Sequence, residues 1–126
     1  MASILLIDDS EMVQQIVSSS LTRQGHQVVV AKDMMKGVRK LRESAFDLVL
    51  MDLNMPKVRG EAGVKLLRTR LQLKTPIIIL SGEITKDTIV EMSLLGVSGF
   101  VAKGEDFESK LALEIAKVLK KKKEAG

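Results

Sequence analysis

The sequence contains no cysteine, tryptophan or tyrosine, and aromatic residues make up only 2% of its 126 residues. The absence of cysteine excludes disulfides and thiolate metal sites, and it fits a reducing compartment. Scarce aromatic side chains weaken any function that needs stacking platforms, such as binding of single-stranded nucleic acid. Unbroken apolar runs reach only four or five residues, and the N-terminus shows no secretory signal. These absences predict a cytoplasmic protein without a membrane span.

Apolar residues make up 45% of the chain, which is typical of a globular protein, and the length fits one domain with a real core. The net charge of +4 is unevenly placed, because Lys117 and the lysines at 120–123 crowd the last ten residues. Without them the body is close to neutral, which argues against direct nucleic-acid binding by a folded face. We therefore expect one domain over residues 1–120 and a basic tail over 121–126.

The lysine run at 120–123 has three interpretations. Cations stabilise the C-terminal end of a helix, so the run fits a solvated helix end. It also fits the start of a linker to an output domain. The third interpretation is contact with nucleic acid or anionic lipid, which salt would weaken steeply.

Five short apolar runs recur along the chain, with an amphipathic stretch between each pair. The runs are residues 4–7, 28–31, 48–51, 77–80 and 99–102. Runs without polar alternation are typical of strands that are covered on both faces of a parallel sheet. Alternating strands and helices with right-handed crossovers predict an α/β doubly wound sheet. The expected fold is flavodoxin-like, with five parallel strands in the order 2-1-3-4-5 and five helices.

The amphipathic stretches predict which helical residues face the core. These are Met12, Ile16, Val17 and Leu21 in the first helix, Val38 and Leu41 in the second, Val64, Leu66, Leu67 and Leu71 in the third, Ile89, Val90, Leu94 and Leu95 in the fourth, and Leu111, Ile115, Val118 and Leu119 in the fifth. Ser10 and Asp33 suit the N-caps of the first two helices, and Gly25 would end the first. Gly60 and Gly63 are both candidates for the start of the third helix.

Polar side chains follow four of the predicted strands. Asp8 and Asp9 follow the first strand and Asp52 the third, while Ser81 and Lys103 end the fourth and fifth. In a sheet of this order the first and third strands are neighbours, and ligands bind beyond their carboxyl ends. Crowded carboxylates raise one another's pKa and disfavour folding, so we expect a divalent metal and Lys103 to offset their repulsion.

In combination these residues resemble the receiver domain of two-component response regulators, and most closely the chemotaxis-type single-domain receivers. The resemblance covers about Ser3 to Lys120. It is carried by Asp8-Asp9, Asp52-Leu53-Asn54-Met55-Pro56, Ser81-Gly82-Glu83 and Gly99-Phe100-Val101-Ala102-Lys103. It implies a signalling switch rather than an enzyme, one that assists its own phosphorylation and dephosphorylation.

The resemblance also implies a role for each acidic residue. Asp52 matches the phospho-accepting aspartate. Asp9 resembles the direct Mg²⁺ ligand and Asp8 the acid that holds the metal through water. Asp52 and the backbone carbonyl of Asn54 would be further ligands. The expected cofactor is Mg²⁺, with Mn²⁺ as an alternative.

The remaining matched residues have implied roles in charge balance and switching. Lys103 would pair with Asp52 and then with the phosphoryl group, Ser81 and Phe100 would be the switch residues, and Glu83 would influence phosphate lifetime. The output surface would be the fourth helix, fifth strand and fifth helix, with Lys86, Ile89 and Phe100 among its members.

The implied partners are a sensor histidine kinase or phosphotransfer protein, and an output protein or fused output domain. His26 is the only histidine, and its turn predicts a surface residue, so the phosphoryl donor would be another molecule. The chain itself is expected to be a monomer or a weak dimer.

Gly104 departs from the family pattern, because the family has a proline after the lysine, joined by a cis bond. A cis bond before a residue other than proline costs about 3 kcal/mol more than trans. Either the site enforces it, or this loop takes another path. We expect Lys103 to reach Asp52 in both cases, because its side chain is long.

Two rival functions use similar residues. A hydrolase of the haloacid dehalogenase type needs a second aspartate two positions after the nucleophile, where Asp8 has Ser10 and Asp52 has Asn54. A flavin or nucleotide binder of this fold needs a glycine- or hydroxyl-rich phosphate cradle after the first strand. The chain has acidic residues there instead, which would repel phosphate without a metal.

Overall fold

The computed structural model describes residues 1–55 and 59–125. Pro56, the last residue of the motif that begins at Asp52, lies outside the described residues. The strands are β1 (Ser3–Ile7), β2 (Gln27–Ala31), β3 (Leu48–Asp52), β4 (Ile77–Ser81) and β5 (Gly99–Ala102). Each strand contains the apolar run that predicted it.

The five strands form one parallel sheet in the order β2-β1-β3-β4-β5, which confirms the predicted fold. The register places Ile7 of β1 between Ala31 of β2 and Met51 of β3. It also pairs Ser81 at the end of β4 with Ala102 at the end of β5. The residues that follow β1, β3, β4 and β5 therefore meet at one edge of the sheet.

The helices are α1 (Glu11–Arg23), α2 (Met34–Glu43), α3 (Gly60–Lys65), α4 (Lys86–Leu94) and α5 (Phe107–Ala125), with a π-helical turn at Leu66–Arg70 after α3. The side chains of Ser10 and Asp33 accept the first free amides of α1 and α2, as predicted. Gly25 and Gly96 follow α1 and α4 with φ of +92° and +77°, a conformation that glycine adopts without strain.

The sheet divides the core into two layers. Alternate strand residues such as Leu6 and Leu50 pack with α1 and α5 on one face. Their neighbours, such as Ile7 and Met51, pack with α2, α3 and α4 on the other. This division is the doubly wound arrangement that the alternation of strands and helices predicted.

Two predicted helix faces are wrong in detail. In α1, Met12 is 68% exposed, and the neighbouring Val13 is buried in its place. In α4, Ile89, Val90 and Leu94 are 41%, 61% and 83% exposed, and Met92 is the buried residue. Apolar residues occur on both sides of α4, so the spacing alone does not identify the side that contacts the sheet.

Gly60, not Gly63, begins α3. A Cβ atom at Gly60 would lie 2.6 Å from the Cα of Leu53 and would also overlap the leucine side chain, so only glycine allows this close approach. The peptide bond between Lys103 and Gly104 is trans, as are all others in the described residues. The site therefore does not enforce a cis bond after Lys103, and the loop after β5 follows the other path that the sequence left open.

Helix α5 continues through residue 125, so residues 121–125 are helical. The functional boundary that we placed at residue 120 stays a prediction. Within the described ranges, no helix has both the length and the apolar character that a membrane crossing requires.

Candidate functional site

The carboxyl ends of β1 and β3 place two aspartates side by side. Asp8 follows β1 and Asp52 ends β3, and the register that sets Ile7 opposite Met51 makes the two aspartates neighbours. Asp9 follows in an exposed position. One carboxylate oxygen from each of the three aspartates lies within 4.8 Å of the other two. The acidic cluster expected from the sequence is therefore present at the carboxyl edge of the sheet.

The ammonium group of Lys103 lies against two of these carboxylates. Its Nζ atom is 2.8 Å from Asp8 Oδ2 and 3.3 Å from Asp52 Oδ1. The side chain of Asp8 is fully buried, that of Asp52 is 5% exposed, and that of Lys103 is 21% exposed. One cation therefore faces two carboxylates that are largely removed from water, where charge interactions are strong.

Asp8 is the most constrained acid of the cluster. Burial raises the pKa of its carboxyl from the ordinary value of 3.8, and the nearby ammonium group of Lys103 opposes that rise. Its Oδ1 accepts the amide of Ser10 at 2.9 Å, and its backbone carbonyl accepts Gln14 Nε2 at 2.7 Å. The buried Oδ2 has Lys103 nearby but no hydrogen bond of good geometry. The contact with Gln14, six residues further on, could not be predicted from the sequence, because it depends on the way α1 follows β1.

Asn54 contacts the carboxylate of Asp52, the candidate phosphoacceptor. Its backbone amide donates to Asp52 Oδ1 at 3.1 Å, so this oxygen has both Asn54 and Lys103 as partners. The side chain of Asn54 is exposed, and the residue forms an isolated antiparallel bridge with Arg59. These contacts fix the orientation of the Asp52 carboxylate.

The donor set fits a hard divalent cation. The three aspartates offer only oxygen, which Mg²⁺ prefers. Three carboxylates face the single ammonium of Lys103, so the cluster has an excess of negative charge.

Ser81 ends β4 beside this cluster and is buried. Its Oγ donates to the backbone carbonyl of Glu83 at 2.8 Å and accepts the amide of Glu83 at 3.3 Å. Its own carbonyl accepts the amide of Lys103 at 2.7 Å. The Ser81 hydroxyl therefore bonds the backbone of the loop that follows β4. Glu83 in this loop is exposed.

The three candidate output residues lie on β5 and α4. Phe100 lies three positions before Lys103 in β5 and packs, partly buried, against the core layer below α4. Lys86 is the exposed first residue of α4, and Ile89 is 41% exposed. None of them belongs to the group of carboxylates.

The only histidine lies at the opposite edge of the sheet. His26 precedes β2, and its Nδ1 accepts the amide of Ala2, which precedes β1, at 3.1 Å. The ring is partly buried, and this burial lowers its pKa. The expectation of a surface residue is therefore wrong in part, because the ring has a structural hydrogen bond.

The sequence matches the response regulator receiver domain family over residues 4–115. Chemotaxis protein CheY-3 of Vibrio cholerae is 30% identical over 102 residues, which cover 79% of this chain and 78% of that protein. The transcriptional regulatory protein AfsQ1 of Streptomyces coelicolor is 34% identical over 103 residues, or 82% of this chain and 45% of that protein. The chain spans less than half the length of several other curated relatives.

The fold matches solved structures at full domain length. The structure of the chemotaxis protein CheY4 of Vibrio cholerae superimposes with a TM-score of 0.86 and 32% identity, and the match covers 94% of this chain and 98% of that one. With the family match, this similarity shows that the chain belongs to the response regulator receiver family. It is a phospho-accepting signalling domain of the type found in chemotaxis receivers.

Proposed function

We propose that the chain receives a phosphoryl group on Asp52 from a sensor histidine kinase or phosphotransfer protein, in a Mg²⁺-dependent reaction. The observation that carries this proposal is the orientation of the Asp52 carboxylate. Its Oδ1 is engaged by Lys103 and by the amide of Asn54, which leaves Oδ2 to attack phosphorus. Phosphoryl transfer depends mainly on such positioning and on charge stabilisation.

Asp9, Asp8, Asp52 and the carbonyl of Asn54 are the residues that would hold the metal. Bound there, Mg²⁺ supplies neutralisation of charge on the phosphoryl oxygens. Mn²⁺ has the same preference for oxygen ligands and would substitute for it. Support for this assignment is the clustering of the three carboxylates within 4.8 Å.

In the transfer step, Asp52 Oδ2 forms a bond to phosphorus while the bond from phosphorus to the donor's imidazole nitrogen breaks. The electron pair of that bond stays on the nitrogen of the donor. Lys103, already 3.3 Å from Asp52 Oδ1, stabilises the charge on the transferring group. The product is an acyl phosphate, which water hydrolyses at the same site, so the domain assists its own dephosphorylation.

The hydroxyl of Ser81 provides the switch. It has one proton to donate, and that proton is now directed at the carbonyl of Glu83. When Asp52 carries a phosphoryl group, the hydroxyl donates to a phosphoryl oxygen and the bond to Glu83 is lost. The loop that leads to the N-cap of α4, Thr85, is then free to change its path.

Phe100 follows this movement inward, and the surface formed by α4, β5 and α5 changes its shape. Lys86, Ile89 and Phe100 are the members of this surface that we assign to the output partner. Glu83 is exposed beside the switch and modulates access of water to the acyl phosphate. The output partner is a separate protein or a fused domain.

The experiment is incubation with Mg²⁺ and acetyl phosphate, followed by intact mass measurement. We expect a gain of one phosphoryl group, which is lost in Asp52→Asn and when the metal is chelated. The matched control is Asp47→Asn, which removes a partly exposed aspartate outside the cluster and should leave the gain unchanged. An unaltered mass for the unsubstituted protein would contradict the proposal, and turnover of phosphate esters would favour a hydrolase.

A separate measurement tests the switch. In Ser81→Ala, acetyl phosphate should still add the phosphoryl group, but the amide resonances of α4 should no longer shift on phosphorylation. Thr88→Ala is the control, because its hydroxyl accepts a bond from Thr85 Oγ1 and, within the described residues, makes no hydrogen bond to Ser81 or Glu83. Equal shifts in Ser81→Ala and the unsubstituted protein would show that the hydroxyl does not transmit the signal.

A further inference from the structure

A basic groove lies at the amino ends of β4 and β5, at the opposite edge from the aspartates. The groove has a volume of about 750 Å³ and is lined by α5 and by the segments that lead into the two strands. Strand β4 has five residues, so the two edges are separated by roughly 16 Å. The groove is therefore distinct from the phosphoacceptor site.

Four lysines and one glutamate line this groove. The lysines are Lys74, Lys117, Lys121 and Lys122, and the acid is Glu114. Lys117 Nζ is 3.7 Å from Glu114 Oε1, and Lys122 Nζ is 3.4 Å from Asp47 Oδ1. Within residues 1–55 and 59–125, Lys74 and Lys121 form no ion pair. The groove thus has an excess of positive charge that favours an anion.

The wall that carries Lys74 is held in place by Arg68. The guanidinium donates to the backbone carbonyls of Leu73 and Thr75, both at 2.8 Å, on either side of Lys74. It also donates to the carbonyls of Leu95 and Gly96 at the end of α4. The backbone of the groove is therefore pre-formed, and ligand binding would not have to order it.

The groove provides little for recognition of an aromatic ring. Its apolar lining consists of Pro76, Val97 and Val118, and Thr75 and Ser98 add hydroxyl groups beside them. Glu114 lies over Gly99, where a Cβ atom would be 2.9 Å from its Oε2. No aromatic side chain lines the groove, so bases would gain no stacking there.

From the volume, the charge and the fixed wall, we infer that this groove binds a polyphosphorylated small molecule of nucleotide size. The volume lies within the range of small-molecule sites, roughly 300–1,000 Å³. Lysines bind phosphate as point charges, and the positive excess of the lining matches a polyphosphate chain. The apolar lining residues can contact a nucleoside without distinguishing one base from another, so the phosphates determine the affinity.

The test is calorimetric titration with ATP, GTP, AMP and inorganic tripolyphosphate, each in the presence of chelator to keep metal from the aspartates. We expect ATP, GTP and tripolyphosphate to bind within about threefold of one another and AMP to bind at least about tenfold more weakly. Amide resonances of Val97 and Ser98 should shift in the same titration.

Two double variants with the same charge change locate the site. Lys74→Glu/Lys121→Glu should weaken ATP binding by at least about tenfold, whereas Lys120→Glu/Lys123→Glu, at exposed positions outside the groove, should change it by less than about twofold. Circular dichroism checks that each variant is folded.

Absence of saturable binding would overturn the inference, and so would equal losses in the two double variants. Tighter binding of a short DNA duplex or an acidic peptide than of ATP would also overturn it, because the occupant would then be a macromolecule. Acetyl phosphate labelling of Asp52 is read separately, so failure here leaves the phosphoacceptor proposal intact.

Discussion

The carboxyl ends of the strands and the amino ends of β4 and β5 have opposite charge and differ in burial. At the carboxyl ends, three aspartates face one lysine, and Asp8 is fully buried. At the amino ends, four lysines face one glutamate, and the side chain of Lys117 is 69% exposed. Charge interactions are strong where water is excluded and weak where it screens. We therefore expect single substitutions to have large effects at the acidic edge and small effects among the exposed lysines.

Lys103→Met should give the largest effect on stability. It leaves the buried carboxylates of Asp8 and Asp52 without their cation, which should lower the free energy of unfolding by about 3 kcal/mol in the absence of metal. Urea denaturation at pH 7 measures this loss of stability, and Lys110→Met, at an exposed position of α5, is the control. A loss no larger than that of the control would contradict the importance of charge at the acidic edge.

Arg68→Ala should be next, although it lies near the basic edge. The guanidinium bonds four backbone carbonyls in two segments, and the substitution removes these bonds. We expect a loss of roughly 2 kcal/mol in urea denaturation. Arg70→Ala changes an exposed arginine in the same π-helical turn and should cost little. If the two variants were equally stable, the clamp on the wall of the groove would be energetically unimportant.

Asp8→Asn should raise stability when no divalent ion is present. The pKa of Asp8 is raised by burial, so its ionised form opposes folding at neutral pH. We expect a gain of about 1 kcal/mol at pH 7, together with loss of the stabilisation that Mg²⁺ gives the unsubstituted protein.

The sign of the pH dependence follows from the same shift. The ionised carboxylate of Asp8 lowers the free energy of unfolding by its full amount at pH values above the pKa of the folded state. This loss disappears as the pH falls through that pKa towards 3.8, because the carboxyl then becomes protonated in the folded protein. The advantage of Asp8→Asn over the unsubstituted protein should therefore shrink on acidification. An advantage that grows as pH falls would contradict the assignment.

His26→Asn should give the smallest effect on stability. The residue precedes β2, at the end of the sheet opposite the aspartates. Burial and the N-terminal amine lower the pKa of His26 below 6.5, so the unfolded chain takes up the proton first. Stability from neutral His26 is present above pH 6.5 and is lost as pH falls through this value towards the folded pKa.

The difference in stability between the unsubstituted protein and His26→Asn should fall by up to about 1 kcal/mol between pH 7.5 and pH 5. Thermal melts at matched ionic strength measure this difference. A constant difference across the range would show that the bond from Ala2 does not select the neutral ring.

The acidic edge could be predicted from the sequence because each of its members directly follows a strand. Strand register places Asp8, Asp52 and Lys103 at one edge, where the long side chain of Lys103 reaches both acids, and the apolar runs locate the strands to within about one residue. The start of α3 could not be predicted, because the preference for Gly60 depends on the approach of Leu53. The buried face of α4 depends likewise on the way the helix lies on the sheet.

The basic groove could not be predicted for a different reason. Its lysines come from the segment before β4 and from α5, which are far apart in sequence and share no motif. The lysines at 120–123 looked like one uniform run, yet only Lys121 and Lys122 of this run line the groove. The helical periodicity of α5 and its position on the sheet make that distinction.

The most direct test is chemical mapping of the phosphorylated residue. After reaction with acetyl phosphate and Mg²⁺, borohydride reduces an aspartyl phosphate to homoserine, and peptide mass spectrometry locates the change. The account predicts homoserine at position 52 alone, in the buried carboxylate between Lys103 and Asn54. Modification at Asp8, Asp9 or any other residue, with position 52 unchanged, would contradict it.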